Sequence, residues 1–163
     1  MKHTLLFLLM ICACTLQATA TGKQPRLTDD ELMTLVQKQT FRYFWDFAHP
    51  ESGLARERSN DRLEIATIGG SGFGVMAIIV GVERGFITRE QGAERLLKIV
   101  EFLNKADSYH GIWAHWMDGA TGKTIPFSRK DDGADLVESA FMFEGLLAAH
   151  QYFTHDNPTE NRI

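Results

Sequence analysis

Two stretches of this chain are apolar on every side, and they decide what it can fold into. The first runs through Val75, Met76, Ile78, Ile79, Val80 and Val82; the second begins near Leu136 and continues to about Phe153. Helices without a polar face are buried ones, so each predicts neighbours around it. Between and before them lie two amphipathic segments. Thr28 with Glu31 three residues on has the form of a capping box and opens a helix carrying Leu32, Leu35, Val36, Tyr43, Phe44 and Phe47. That helix stops at His49-Pro50, because the residue before proline disfavours the α region. A second box, Thr88 with Gln91, opens a helix to about Lys105. It buries Ala93, Leu96, Leu97, Val100 and Leu103 and exposes Arg89, Glu90, Glu94, Lys98 and Glu101. The alternation of amphipathic and all-apolar helices predicts an all-α fold with outer and inner members of a layered ring.

The connections sharpen this. Helices one and two are joined by a long segment from Glu51 to about Gly69, helices three and four by another from Ala106 to Arg129. Only Gly85-Phe-Ile87 separates helices two and three. Consecutive helices reverse direction, so both long connections belong at one end, where a rigid scaffold presents its functional loops. In the second, Ile112-Trp-Ala-His-Trp-Met117 and Lys123-Thr-Ile-Pro-Phe127 flank Asp118-Gly-Ala-Thr-Gly122, which reads as a small rim hairpin. The cluster Gly69-Gly-Ser-Gly-Phe-Gly74 lacks the Lys-Ser/Thr of a phosphate loop and follows no predicted strand; it reads as a close-packed helix start.

The opening of the fourth helix holds an unusual concentration of acid. Asp131, Asp132, Asp135 and Glu138 lie within eight residues. Placed on a helix, Asp131, Asp135 and Glu138 fall at i, i+4 and i+7 on one face. Acids in a first turn are favoured by the helix dipole, which accounts for Asp131 and Asp132. Glu138 lies beyond that reach, between Val137 and Phe141, and so marks a candidate site.

The first residues stand apart. Met1-Lys-His precedes an apolar run from Leu5 to Ala13 and then Ala18-Thr-Ala20, the pattern of a secretory leader over residues 1–20. The run is shorter than the roughly 20 residues that span a membrane. Cleavage after Ala20 removes Cys12 and Cys14, hence every cysteine; the alternative is a bacterial lipoprotein signal with a lipid anchor on Cys14. Either way the expected location is outside the cytoplasm, periplasmic, outer-membrane-associated or secreted. Residues 21–27 read as a linker, 28–153 as the helical domain, and 154–163 as a polar, truncated tail without pattern. With 44% apolar and 23% charged residues the composition is that of a globular protein. Net charge is −4, and −5 without the leader and its Lys2, with no Lys/Arg block, so nucleic acid is not an expected partner.

Phe41-Arg-Tyr-Phe-Trp-Asp-Phe, Ser52-Gly-Leu, Gly72-Phe-Gly74, Gly81-Val-Glu-Arg-Gly85 and Asp131-Asp-Gly-Ala-Asp-Leu-Val-Glu138 resemble, in this order, the bacterial glucoamylase-like glycoside hydrolases that include the endo-β-1,2-glucanases. The resemblance covers about Thr28 to Phe153. It implies an (α/α)6 toroid of six inner and six outer helices, of which four are present, and therefore a large apolar patch where neighbours are lacking. It also implies metal-independent hydrolysis of a β-linked glucan, without cofactor, with Asp131, Asp135 and Glu138 around the sugar. Glycoside hydrolysis needs one protonated carboxyl and a second carboxylate. Glu138 is the candidate acid, with Asp131 or Asp135 orienting sugar or water. Trp113 and Trp116 are candidate stacking surfaces, one of them expected in the core because i and i+3 of a strand face opposite ways. Arg58, His115 and Asp132 are further candidate sugar ligands. The competing readings are a non-catalytic glycan-binding or scaffold protein, an inactive truncated product, or a Mg²⁺-dependent helical toroid acting on isoprenoids through Asp131-Asp132-Gly-Ala-Asp135. Linkage, endo or exo mode, anomeric outcome and the position of the second carboxylate stay open.

Overall fold

The computed structural model describes residues 26–60 and 62–163. The leader, its cysteines and Asp61 lie outside the described residues. Four helices carry the fold: α1 (Asp29–Trp45), α2 (Ile68–Glu83), α3 (Arg89–Leu103) and α4 (Leu136–Tyr152). None of the described helices is long and apolar enough to cross a membrane.

Both predicted capping boxes form. Glu31 N–H donates to Thr28 Oγ1 at 3.3 Å and Thr28 N–H to Glu31 Oε2 at 2.8 Å. At α3, Gln91 N–H donates to Thr88 Oγ1 at 3.1 Å and Thr88 N–H to Gln91 Oε1 at 2.9 Å. Each satisfies amides that a first turn leaves without partners.

α2 is the central element. Ile68, Val75 and Ile78 are buried in one core with Leu96, Ile99 and Leu103 of α3 and Met142 of α4. Its glycines set the spacing. A Cβ on Gly72 would lie 2.3 Å from the carbonyl oxygen of Phe141, and one on Gly145 would lie 2.6 Å from that of Gly72. α2 and α4 therefore touch backbone to backbone. The glycine cluster sits inside the first two turns of α2, which starts at Ile68, next to the expected end of the connection near Gly69. The glycines pack closely, as a helix start of this kind implies.

Three short strands join the two long connections. β1 (Ile65–Thr67), β2 (Trp116–Asp118) and β3 (Thr124–Ile125) form an antiparallel sheet in that order, with Ile65 opposite Asp118 and Trp116 opposite Ile125. β2 and β3 are the rim hairpin. β1, read as loop, belongs to the first connection, so its pairing with β2 holds both connections at one end as their lengths predict.

Two further expectations change, at α1 and at the end of the chain. α1 ends at Trp45, ahead of His49-Pro50, and only Phe41 is buried along it, while Leu35 and Val36 are half-exposed. The two helices that are apolar all round expose Phe73, Val80, Val137 and Leu147, the apolar patch expected where neighbours are lacking. Finally, residues 154–163 have structure: η1 (Glu160–Arg162) places a buried Glu160 2.7 Å from the guanidinium of Arg89, and Ile163 packs against the core. Arg89, expected in solvent, is the cation that allows this carboxylate to be buried.

Candidate functional site

The start of α4 is made by a cap rather than by helical periodicity. Asp135 is its N-cap, with φ −117° and ψ 111°, and its Oδ1 accepts from the amides of Val137 (2.9 Å) and Glu138 (3.0 Å). Asp131 thus lies outside the helix, in a turn where Asp131 and Ser128 bond through their backbones. The i, i+4, i+7 face does not exist. Asp131 nevertheless reaches the same place by another route, because the turn folds its carboxylate back towards Asp135.

The strand entry completes the arrangement. Asp135 N–H donates to the carbonyl of Trp113 (2.8 Å), and Trp113 N–H to Ser139 Oγ (3.0 Å). These bonds stitch residues 113–115 onto the first turn of α4. His115 Nδ1 then lies 3.2 Å from Asp135 Oδ2. Donor atoms of His115, Asp131 and Asp135 all fall within 4.8 Å of one another. The carbonyl of His115 accepts from Ile68 N–H (3.1 Å), fixing the group to the start of α2.

Glu138 is held from the other side. Its Oε2 accepts from Gly69 N–H at 2.9 Å, so it reaches across to the first turn of α2. Gly69 is required there, since a Cβ would lie 2.2 Å from that oxygen. The carboxylate is half-buried between two helix starts.

The two tryptophans separate, though not by strand alternation: Trp113 packs against the core and Trp116 stands beside the His115 ring. Trp113 lies ahead of β2; its ring packs at 5.1 Å from Phe143 and its indole N–H reaches the carbonyl of Leu103 (3.4 Å). Trp116 lies 4.6 Å from Phe127, which also stands 4.2 Å from the His115 ring. Trp116 forms one wall of a cavity of about 310 Å³ with Glu57, Arg58, Arg62 and Ile65. Its indole N–H is buried with no acceptor among the described residues. Arg58 is exposed and 3.8 Å from Glu57; Asp132 is exposed on the loop. The structure thus brings together Asp131, Asp135, His115, Trp116 and, through α2, Glu138. Arg58 lies across the Trp116 cavity, and Trp113 is withdrawn into the core.

Gly69 and Phe127 belong to the site but were not singled out in the sequence. Only the glycine run hinted at the first; a lone Phe after proline carries no signal. His115, Asp131 and Asp135 also form a donor set of the kind that holds a divalent cation.

Two apolar helices whose starts gather carboxylates at one end are the arrangement of a partial (α/α)6 toroid. No family model matches the chain. A crystal structure of a protein from Bacteroides uniformis described as a candidate glucoamylase matches 85% of this chain and 34% of its own, at 84% identity and a TM-score of 0.84. An endo-β-1,2-glucanase from Chitinophaga pinensis, solved with sophorotriose and glucose, matches 83% and 34% at 53% identity and a TM-score of 0.80. An exo β-1,2-glucooligosaccharide sophorohydrolase acting at the non-reducing end, from Parabacteroides distasonis, is 54% identical over 138 residues, 84% of this chain and 19% of that protein. The chain belongs to this glucoamylase-like family of glycoside hydrolases and spans about a third of the solved relatives and a fifth of the curated one.

Proposed function

We propose that the chain is the acid-bearing part of an exported glycoside hydrolase that cleaves β-1,2-linked glucan by general acid/base catalysis without a metal. The observation that carries this reading is the convergence of Glu138, Asp135, Asp131 and His115 at the starts of α2 and α4, beside Trp116. Two relatives at 53–54% identity are named for action on β-1,2-glucans, which supports the linkage.

The geometry divides the roles. Asp131 and Asp135 lie within 4.8 Å of one another through His115. Acid and base across a glycosidic bond stand roughly 5–9.5 Å apart, so those two act together, on one side of the sugar. Their side holds hydroxyl groups or the attacking water. Glu138 supplies the proton to the leaving oxygen through Oε1, since Oε2 is an acceptor of the Gly69 amide. Trp116 and Phe127 offer the apolar faces on which a pyranose stacks, and Arg58 and Asp132 reach hydroxyls from the rim. Export rests on the leader, with the mature chain starting after Ala20; intact-mass measurement of the exported protein separates this from a lipid-anchored Cys14.

A second reading is a glycan-binding protein without turnover. It is favoured by one feature: one oxygen of Glu138 and one of Asp135 already serve as helix-start acceptors. Incubating the chain and its Glu138→Gln variant with linear β-1,2-glucan, with and without chelator, tests both. Release of sugar that ignores chelator and vanishes in the variant supports hydrolysis; binding without release supports the second reading. Loss of activity with chelator would overturn the metal-free mechanism and point to His115, Asp131 and Asp135 as ligands.

A further inference from the structure

The cavity beside Trp116 has a charge opposite to that of the carboxylate cluster. Its volume is about 310 Å³, enough for a small ligand, and Trp116 and the buried Ile65 give it an apolar wall. The rest of its lining is Glu57, Arg58 and Arg62, two cations against one anion. The backbone brings the arginines together. Glu57 N–H donates to the carbonyl of Ile65 (3.0 Å) and Thr67 N–H to that of Ala55 (3.1 Å), so residues 55–57 run antiparallel to 65–67. Arg58 leaves this ladder, Arg62 approaches it, and both line the one cavity. Arg62 does so at φ +44°, uncommon without glycine, with its carbonyl accepting from Ile65 N–H (2.9 Å). The Arg56 guanidinium fixes the same stretch by donating to the carbonyl of Leu63 (2.8 Å). Glu57 stands 3.8 Å from Arg58 and offsets one guanidinium, which leaves the second in excess.

We propose that this cavity takes an acidic substituent, a carboxylate or a phosphate ester, on a glucan unit next to the one held by Asp131, Asp135 and Glu138. The proposal rests on the glucan reading and adds to it the charge of the substrate. A guanidinium presents a planar fork of donors that matches carboxylate and phosphate oxygens two at a time, which a neutral hydroxyl cannot use in full. The place of the acidic group follows from repulsion. Three carboxylates at the helix starts disfavour an anion there, whereas the arginines attract one. Trp116 is common to both places: it walls the cavity, and its ring stands 5.8 Å from that of His115. A sugar chain stacked along Trp116 therefore puts a neutral unit at the carboxylates and an acidic one at the arginines.

Calorimetry of the whole chain tests this with linear β-1,2-glucan sparsely succinylated, phosphorylated or, as the neutral control, acetylated to the same degree. At least one acidic glucan is expected to bind roughly fivefold more tightly than the acetylated one, by a margin that shrinks as salt is raised. The tighter of the two assigns the acidic group. Arg62→Gln should abolish the margin while the acetylated glucan keeps its affinity, and Glu57→Gln should widen it. Arg84→Gln, at the far end of α2, should leave it unchanged. Arg62 and Arg84 are exposed, so circular dichroism and melting temperature are expected to match the unaltered chain. Arg58→Gln, also at an exposed position, should narrow the margin independently. Equal binding of acidic and acetylated glucans, or a margin that survives both arginine variants, would overturn the proposal and leave the glucan reading in place. Inorganic phosphate or free succinate binding as tightly as the acidic glucans would also overturn it, since the cavity would then read no sugar. If none of the glucans binds, the glucan reading itself fails, and this proposal with it.

Discussion

The carboxylate of Glu138 and the amide of Gly69 are bonded at 2.9 Å across 69 residues of chain, joining the first turn of α4 to the first turn of α2. Gly69→Ala would put a methyl 2.2 Å from Glu138 Oε2. The side chain must then leave its amide, and a part-buried acceptor is displaced. A loss of about 1–3 kcal/mol in urea unfolding is expected, together with loss of glucan binding or release. A Gly69→Ala chain with full stability and full glucan response would show that this contact positions nothing.

Asp135 performs two tasks that can be separated. Its Oδ1 caps α4 and its Oδ2 faces His115. Serine retains a capping oxygen and lacks the second carboxylate oxygen, so Asp135→Ser should stay within about 0.5 kcal/mol of the parent while losing sugar response. Asp135→Ala should lose both, at a cost of about 0.5–2 kcal/mol. Paired denaturation and glucan titrations of the two variants distinguish the roles.

The tryptophans should respond in opposite ways. Trp113→Ala empties a space against Phe143 and the end of α3 and is expected to cost about 2–4 kcal/mol. Trp116→Ala, at the cavity wall, should abolish sugar binding with a smaller change in melting temperature. Equal stability losses would place both rings in the core.

Acid should loosen the end of the chain before the rest. Arg89, donating to Glu160, holds that carboxyl down at about 2, against an ordinary value of 4.5. A depressed carboxyl stabilises the fold above its unfolded value and loses that contribution as pH falls from about 4.5 to about 2. The contribution is on the order of 3 kcal/mol. Glu160→Gln should lower stability at neutral pH and flatten the dependence across that window, as followed by pH-resolved thermal melts.

What the sequence conveyed and what it withheld follow from the range of each interaction. Thr28 with Glu31, and Thr88 with Gln91, act over three residues, so both boxes were legible and both form. The gathering of the long connections was legible from their lengths. Asp131 illustrates the limit: acidic spacing suggested one helical face, but Asp135 prefers the cap, and the turn through Ser128 decides where Asp131 goes. β1 is three residues long and exists through its pairing with β2, which no local pattern announces. Glu160 reads as tail until its partner, 71 residues earlier, is known.

Gly72 and Gly145 leave nothing soft between α2 and α4. Where most helix pairs have side chains that can change rotamer and absorb a shift, these two meet at bare main chain. A displacement of either is passed on undiminished to the other. The carboxylates at the head of α4 and the amides at the head of α2 are consequently held as one piece, a fixed template rather than an adjustable one for whatever binds there.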